Sequence, residues 1–148
     1  MSIEKAETLL VSDVMLKIDQ FPVLDRRVLF KDALDEMNKW HLGIACLVDH
    51  NNHLQGVLTD GDIRRQLLKS QKPLSALFVD DALNHSATTP VATCPSLSLK
   101  EAVRVMGEKK IWDLPVVAMT GELVGLLHLH PALQLLLDPC SSYAANEF

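Results

Sequence analysis

The stretch Leu54-Gln55-Gly56-Val57-Leu58-Thr59-Asp60-Gly61-Asp62 decides how this chain is read, because it returns 69 positions later as Leu123-Val124-Gly125-Leu126-Leu127-His128-Leu129-His130-Pro131. Each version is an apolar run with a glycine in third place and a polar end. At the same offset the match extends in both directions without a gap. Lys31-Asp32-Ala33-Leu34 with Met37 falls on Lys100-Glu101-Ala102-Val103 with Met106, Leu47-Val48 on Val116-Val117, and Leu67-Leu68 on Leu136-Leu137. Residues 21–68 therefore match residues 90–137. Self-similarity at one fixed offset marks a duplicated structural unit.

Both copies predict the same order of elements. A short extended piece opens each one, Phe21–Leu24 or Val91–Thr93. A helix is expected next, over Phe30–Trp40 and Leu99–Lys110, since Phe30, Ala33, Leu34 and Met37 recur at helical spacing, as do Leu99, Ala102, Val103 and Met106. Ser98 with Glu101 reads as a capping box for the second of these helices, whereas the first has Leu29 in the capping place. Two strands follow, Ile44–Val48 and Leu54–Thr59 around the polar turn His50-Asn51-Asn52, and Leu114–Ala118 and Leu123–His128 around Thr120-Gly121. A last helix closes each copy, Gly61–Lys69 and Pro131–Leu137, with Pro131 suited to the first helical position.

The unit is thus β-α-β-β-α, present twice. One copy buries too little apolar surface to stand comfortably alone, and two copies packed through their sheets remove that difficulty. The expected organisation is a first repeat over 10–69, a linker over 70–89 with a helical turn at Val79–Leu83, a second repeat over 79–137, and a small polar tail over 138–148 that frays. The lead Leu10–Met15 stands before copy one as the linker stands before copy two.

Composition narrows the function classes. With 48% apolar and 22% charged residues the chain has the make-up of a globular protein and is too apolar to be disordered. A net charge of −5, from 14 basic and 19 acidic residues, argues against a polybasic nucleic-acid binder. There is no apolar run of about eighteen residues, so no membrane span is expected. Met1 to Leu10 lacks the basic-then-apolar layout of a signal peptide. Cys46, Cys94 and Cys140 are far apart with no CxxC pair, which gives no support to a zinc site and fits a reducing, cytoplasmic compartment. Cys46, between Ala45 and Leu47, reads as a small buried apolar residue.

The duplicated pattern, with Gly56-Val57-Leu58-Thr59-Asp60-Gly61-Asp62-Ile63 closing its first copy, resembles the CBS domain family over about Leu10 to Leu137. It looks like a tandem CBS pair, also called a Bateman module. The resemblance implies an α/β (α+β) fold in which two repeats pack through their sheets with pseudo-two-fold symmetry. Thr59-Asp60-Gly61-Asp62-Ile63-Arg64-Arg65 is most similar to pairs attached to sugar-phosphate isomerases and sugar nucleotidyltransferases. Gly125-Leu126-Leu127-His128-Leu129-His130 resembles the arabinose-5-phosphate isomerases of Kdo biosynthesis. In that branch a separate sugar-isomerase domain does the chemistry. This chain is therefore expected to be a stand-alone module or a fragment, and not itself an enzyme.

The resemblance also implies a nucleotide site in the cleft between the copies, with a Thr or Ser three residues before an Asp at a strand-to-helix junction. Thr59 and Asp62 match it. A helix N-terminus offers free N–H groups and a positive dipole end to phosphate, and an Asp there accepts from ribose hydroxyls. Gly61 leaves room for close approach to the backbone. Arg64 and Arg65 either pair with a ligand anion or form a solvated helix face. Thr59-x-x-Asp62 is equally the pattern of a plain capping box. Gly43, Ile44 and Ala45, with Asp113, Leu114 and Pro115 opposite, begin the strands expected to line the cleft; their bland role is core packing. In copy two His128 replaces the Thr and Pro131 the Asp, so the ribose-gripping carboxylate is missing there. That leaves either a single occupied site or a different ligand, such as a nucleotide-linked sugar acid of the CMP-Kdo type. His128 and His130 favour an anion when protonated; with no third ligand near, a metal site is not expected. Trp40 and Trp112 are candidates for stacking on a base or for core packing.

Three functions compete: a regulatory module binding an adenine nucleotide or a nucleotide-sugar with no required cofactor, a ligand-free module that forms homodimers through its helices, and an enzyme. The chain has no nucleophile–base pair, metal cluster or Gly-rich phosphate loop, which disfavours the third. The first is the leading expectation.

Overall fold

The computed structural model describes residues 9–137. The tail 138–148, with its expected fraying, lies outside the described residues. The element order is β1 (Val23–Asp25), α1 (Phe30–Trp40), β2 (Ile44–Val48), β3 (Leu54–Thr59), α2 (Asp60–Lys69), α3 (Leu74–Phe78), α4 (Leu99–Lys109), β4 (Asp113–Val117), β5 (Leu123–His128) and α5 (Leu129–Leu137). Short 3-10 turns stand at Val11–Asp13 and Ala82–His85. This is the mixed α/β architecture that the repeat implies.

β1 runs parallel to β2, and β2 pairs antiparallel with β3. In copy two β4 pairs antiparallel with β5. The duplication reaches the irregularities. The register slips between Leu47 and Val48 in one hairpin and between Val116 and Val117 in the other. α1 and α4 each end on a left-handed residue, His41 and Lys110. The hairpin tips carry positive φ at matched positions, 62° at Asn52 and 92° at Gly121. These tips meet: Leu123 N donates to Asn52 O at 2.9 Å, and Asn52 Nδ2 donates to Leu123 O at 2.9 Å.

Period-two alternation explains the three cores. β2 is buried along its whole length. Ala45 and Leu47 face α1 with Phe30, Ala33, Met37 and Leu58. Ile44, Cys46 and Val48 face the other way, onto Leu123 and Leu126 of copy two. The third core lies under α4 and α5, around Leu99, Met106, Leu114 and Leu127. Cys46 is the small buried apolar residue expected, and burial pushes its thiol up to about 12.

The leads are exchanged. Leu16 forms an antiparallel bridge with Leu126 of β5, and Ala87 forms one with Val57 of β3. Val11 is buried in the copy-two core, while Leu77 and Ala82 are buried in the copy-one core. Glycine is needed where these leads cross. A Cβ on Gly125 would meet Met15 Sδ at 2.6 Å and Leu16 O at 2.8 Å; one on Gly56 would meet Leu83 Cδ1 at 2.9 Å and Ala87 O at 3.0 Å.

Several local expectations need correction. Val91–Thr93 is not a strand: only Thr93 bridges, parallel to Val116. Pro131 sits third in α5, which begins at Leu129, still within the first turn where a missing N–H is harmless. Of the helical turn expected at Val79–Leu83, only Ala82 and Leu83 are helical, as the start of the 3-10 turn Ala82–His85; α3 ends before it, at Phe78. Only half of the Ser98 box forms. Ser98 Oγ accepts from Glu101 N at 3.2 Å, but the Glu101 carboxylate turns to Arg104. The uncapped α1 finds a backbone partner instead, with Phe30 N donating to Asp80 O at 2.8 Å.

Candidate functional site

The β3–α2 junction folds as a closed capping box. Asp62 N donates to Thr59 Oγ1 at 3.2 Å, while Asp62 Oδ2 accepts from Thr59 N at 3.0 Å and from Thr59 Oγ1 at 2.8 Å. The bland reading of this motif is therefore realised. It does not exclude the functional one, because the same junction opens onto a cleft of about 600 Å³ between the copies.

One wall of the cleft comes from Gly43, Ile44, Thr59, Gly61 and Asp62, with Arg64 and Arg65 further along α2. Asp113 and Pro115 of β4 form the facing wall. Nine of the expected site residues thus meet on one cavity. Ala45 and Leu114 do not. Each is fully buried, because it alternates onto the helix-covered face of its strand. His128 is not on the lining either. It sits behind Asp113, with Nδ1 2.7 Å from Asp113 Oδ1. Trp112 lines the cleft and is 62% exposed; Trp40 is not on its lining.

Some lining residues were not anticipated. Lys109, Lys110 and Ile111 bring the end of α4 to the cleft, and Thr89, Pro90 and Val91 bring the end of the linker and the start of copy two. The adjacent lysines just before Trp112 were the available signal for the first group. Asp60, also on the lining, folds over Gly43, where a Cβ would lie 2.6 Å from Asp60 Oδ2. Gly61 does not stand open for a ligand: the Arg65 guanidinium covers it, 3.1 Å from where a Cβ would be. Arg65 Nη2 also donates to Asp62 Oδ1 at 2.8 Å. That arginine is 64% exposed, so swinging it aside costs little.

The electrostatics are divided. Four cations, Arg64, Arg65, Lys109 and Lys110, line the same space as three carboxylates, Asp60, Asp62 and Asp113. Burial raises the Asp113 carboxyl above its ordinary value, the His128 partner opposes this, and the nearby Asp60 charge adds to it. Among the described residues no group of three or more His, Cys, Asp or Glu is placed to hold a metal ion. No helix among them is long and apolar enough to cross a membrane.

Comparison with known proteins agrees with this architecture. An uncharacterised protein of Helicobacter pylori (strain J99) is 38% identical over 123 residues, covering 82% of this chain and 36% of the relative. The arabinose 5-phosphate isomerase KdsD of Escherichia coli K12 is 29% identical over 124 residues, covering 84% of this chain and 36% of that one. The chain thus spans about a third of the length of these relatives. Among solved structures, CBSX2 in complex with AMP superposes with a TM-score of 0.75 at 25% identity, over 86% of this chain and 95% of that one; CBSX2 is a CBS-pair protein of Arabidopsis thaliana. A CBS domain-containing protein of Bacillus anthracis reaches a TM-score of 0.80 at 15% identity, over 91% and 97% of the two chains, a likeness of fold. The CBS domain model matches residues 11–69 and 79–130, and so the chain belongs to the CBS domain family as a tandem pair.

Proposed function

We propose that the cleft binds a nucleotide or nucleotide-linked sugar, and that the chain is a non-catalytic regulatory module for a sugar-phosphate isomerase domain. The observation that carries this reading is the convergence on one cavity of the Thr59–Asp62 junction, cations from both copies and the exposed face of Trp112. A phosphate suits the α2 N-terminus with Arg64, Arg65, Lys109 and Lys110. A ribose suits Asp62, whose Oδ1 accepts only from Arg65 and keeps accepting capacity. A base suits the indole of Trp112. The AMP complex of CBSX2 supports a nucleotide, and the likeness to KdsD supports an isomerase partner and a ligand such as CMP-Kdo. No resident cofactor is required by this reading, and its place of action is the cytoplasm. Ligand would change how the copies pack, and that change would be passed to the partner domain.

Calorimetric titration with AMP, ATP, CMP and a CMP-linked sugar tests it. At least one should bind with a heat that Asp62→Ala removes. Absence of heat and of any melting shift with all four overturns the reading.

One observation favours a second role beside the first. Leu68 of α2 is 82% exposed and Leu137, its repeat mate on α5, is 77% exposed. Apolar helix ends of this kind suit a homodimer formed through the helices. Sedimentation of wild type against Leu68→Glu, which should weaken the dimer, checks this.

A further inference from the structure

The two copies differ in chemistry at one cross-strand pair. In copy one Ile44 stands opposite Thr59, and in copy two Asp113 stands opposite His128. An apolar and hydroxyl pair has become a carboxylate and imidazole pair at the start of β4. The Asp113 side chain is only 8% exposed yet lines the ligand cleft. We propose that the Asp113–His128 pair is a proton-linked gate on this cleft, so that an anionic ligand binds with uptake of a proton; the inference rests on the nucleotide reading above.

The groups around Asp113 come from several elements. His128 of β5 holds Oδ1 at 2.7 Å. Asp60 of α2 adds a like charge from the other copy. Cys46 of β2 is also near, but its thiol is neutral. His130 of α5 packs on His128 with ring centroids 5.5 Å apart, and on Trp112 at 5.9 Å. Arg64, Arg65, Lys109 and Lys110 lie on the cleft lining, and none is bonded to Asp113. Asp60 has no ion-pair partner among the described residues. Among the described residues His128 is therefore the one group bonded to Asp113 that is able to offset its charge.

An anion entering the cleft meets the Asp60 and Asp113 carboxylates on its lining, and the largely buried Asp113 charge is the less screened of the two. A proton on His128, or on Asp113 itself, removes part of that repulsion. The anion in turn makes both groups hold a proton more tightly. The linkage is reciprocal: what ligand does for the proton, the proton does for ligand. Affinity therefore rises as pH falls and declines as pH rises.

The test is calorimetry with AMP on the whole chain, at one pH in two buffers of different ionisation enthalpy, and then from pH 8 to pH 6. The expected result is net proton uptake and binding about fivefold tighter at pH 6 than at pH 8. Asp113→Asn should bind AMP at least as well at pH 8 and lose most of the uptake. The difference between the two proteins cancels the ionisation of the phosphate itself. His128→Gln should also lose the uptake, and His130→Asn should keep it. Equal uptake by wild type and Asp113→Asn, or none in wild type, overturns the gate and leaves the nucleotide reading intact. No binding of AMP, ATP, CMP or a CMP-linked sugar at any pH overturns both.

Discussion

Copy one and copy two share the backbone of their hairpins and long helices and differ in chemistry. Register slips, helix ends and hairpin tips recur at matched positions. The strand-to-helix junctions do not. Copy one closes its junction with Thr59 and Asp62, whereas copy two places His128 against Asp113 and has Pro131 where an acceptor would stand. Packing is therefore what the two copies share, and polar function is where they have parted. A buried Leu in one copy should matter as much as its counterpart, while a junction residue should not.

The largest effects test the shared part. Leu58→Ala and Leu127→Ala remove matched, fully buried side chains, and each should cost about 3 kcal/mol in denaturant unfolding. A large inequality between them would break the comparison. Next come the crossing glycines. Gly125→Ala drives a Cβ against the Leu16 carbonyl and should cost about 2 kcal/mol; Gly56→Ala, with slightly more room, should cost less. The polar part responds on a smaller scale. Thr59→Ala and Ser98→Ala each remove a hydroxyl that accepts an N3 amide, for about 1 kcal/mol of stability. Only Thr59→Ala should also weaken nucleotide binding. The smallest effect concerns Asp113. Its folded carboxyl lies above its ordinary value, so the native state holds the proton more tightly than the unfolded chain does. Stability is then lost as pH rises from the ordinary carboxylate range through the raised value. Asp113→Asn should accordingly melt slightly higher than wild type at pH 7, a gain that disappears in acid.

What the sequence made legible follows the same division. Self-comparison and periodicity located α1, β2, β3 and β5 at their observed bounds, because burial on one face writes a repeating pattern into the chain. Val91–Thr93 misled because a short apolar run does not reveal that it has only one bridging residue. α3 was missed because five residues are too few to show a period. At the cleft, Thr59, Asp62, Arg64, Arg65 and Asp113 were legible from a motif and its repeat mate. Lys109 and Lys110 were visible only as adjacent lysines before Trp112, since their arrival at the cleft depends on how the copies dock. The arrest of His128 by Asp113 was not legible, although the two are cross-strand neighbours in a register that the repeat already implied.

The exchanged leads have a consequence for unfolding. Val11 and Leu16 serve the core and sheet of copy two, and Leu77, Ala82 and Ala87 serve those of copy one. Neither copy is able to melt while the other keeps its lead in place. Heat should therefore take the pair apart in a single cooperative transition, with calorimetric and van't Hoff enthalpies in agreement.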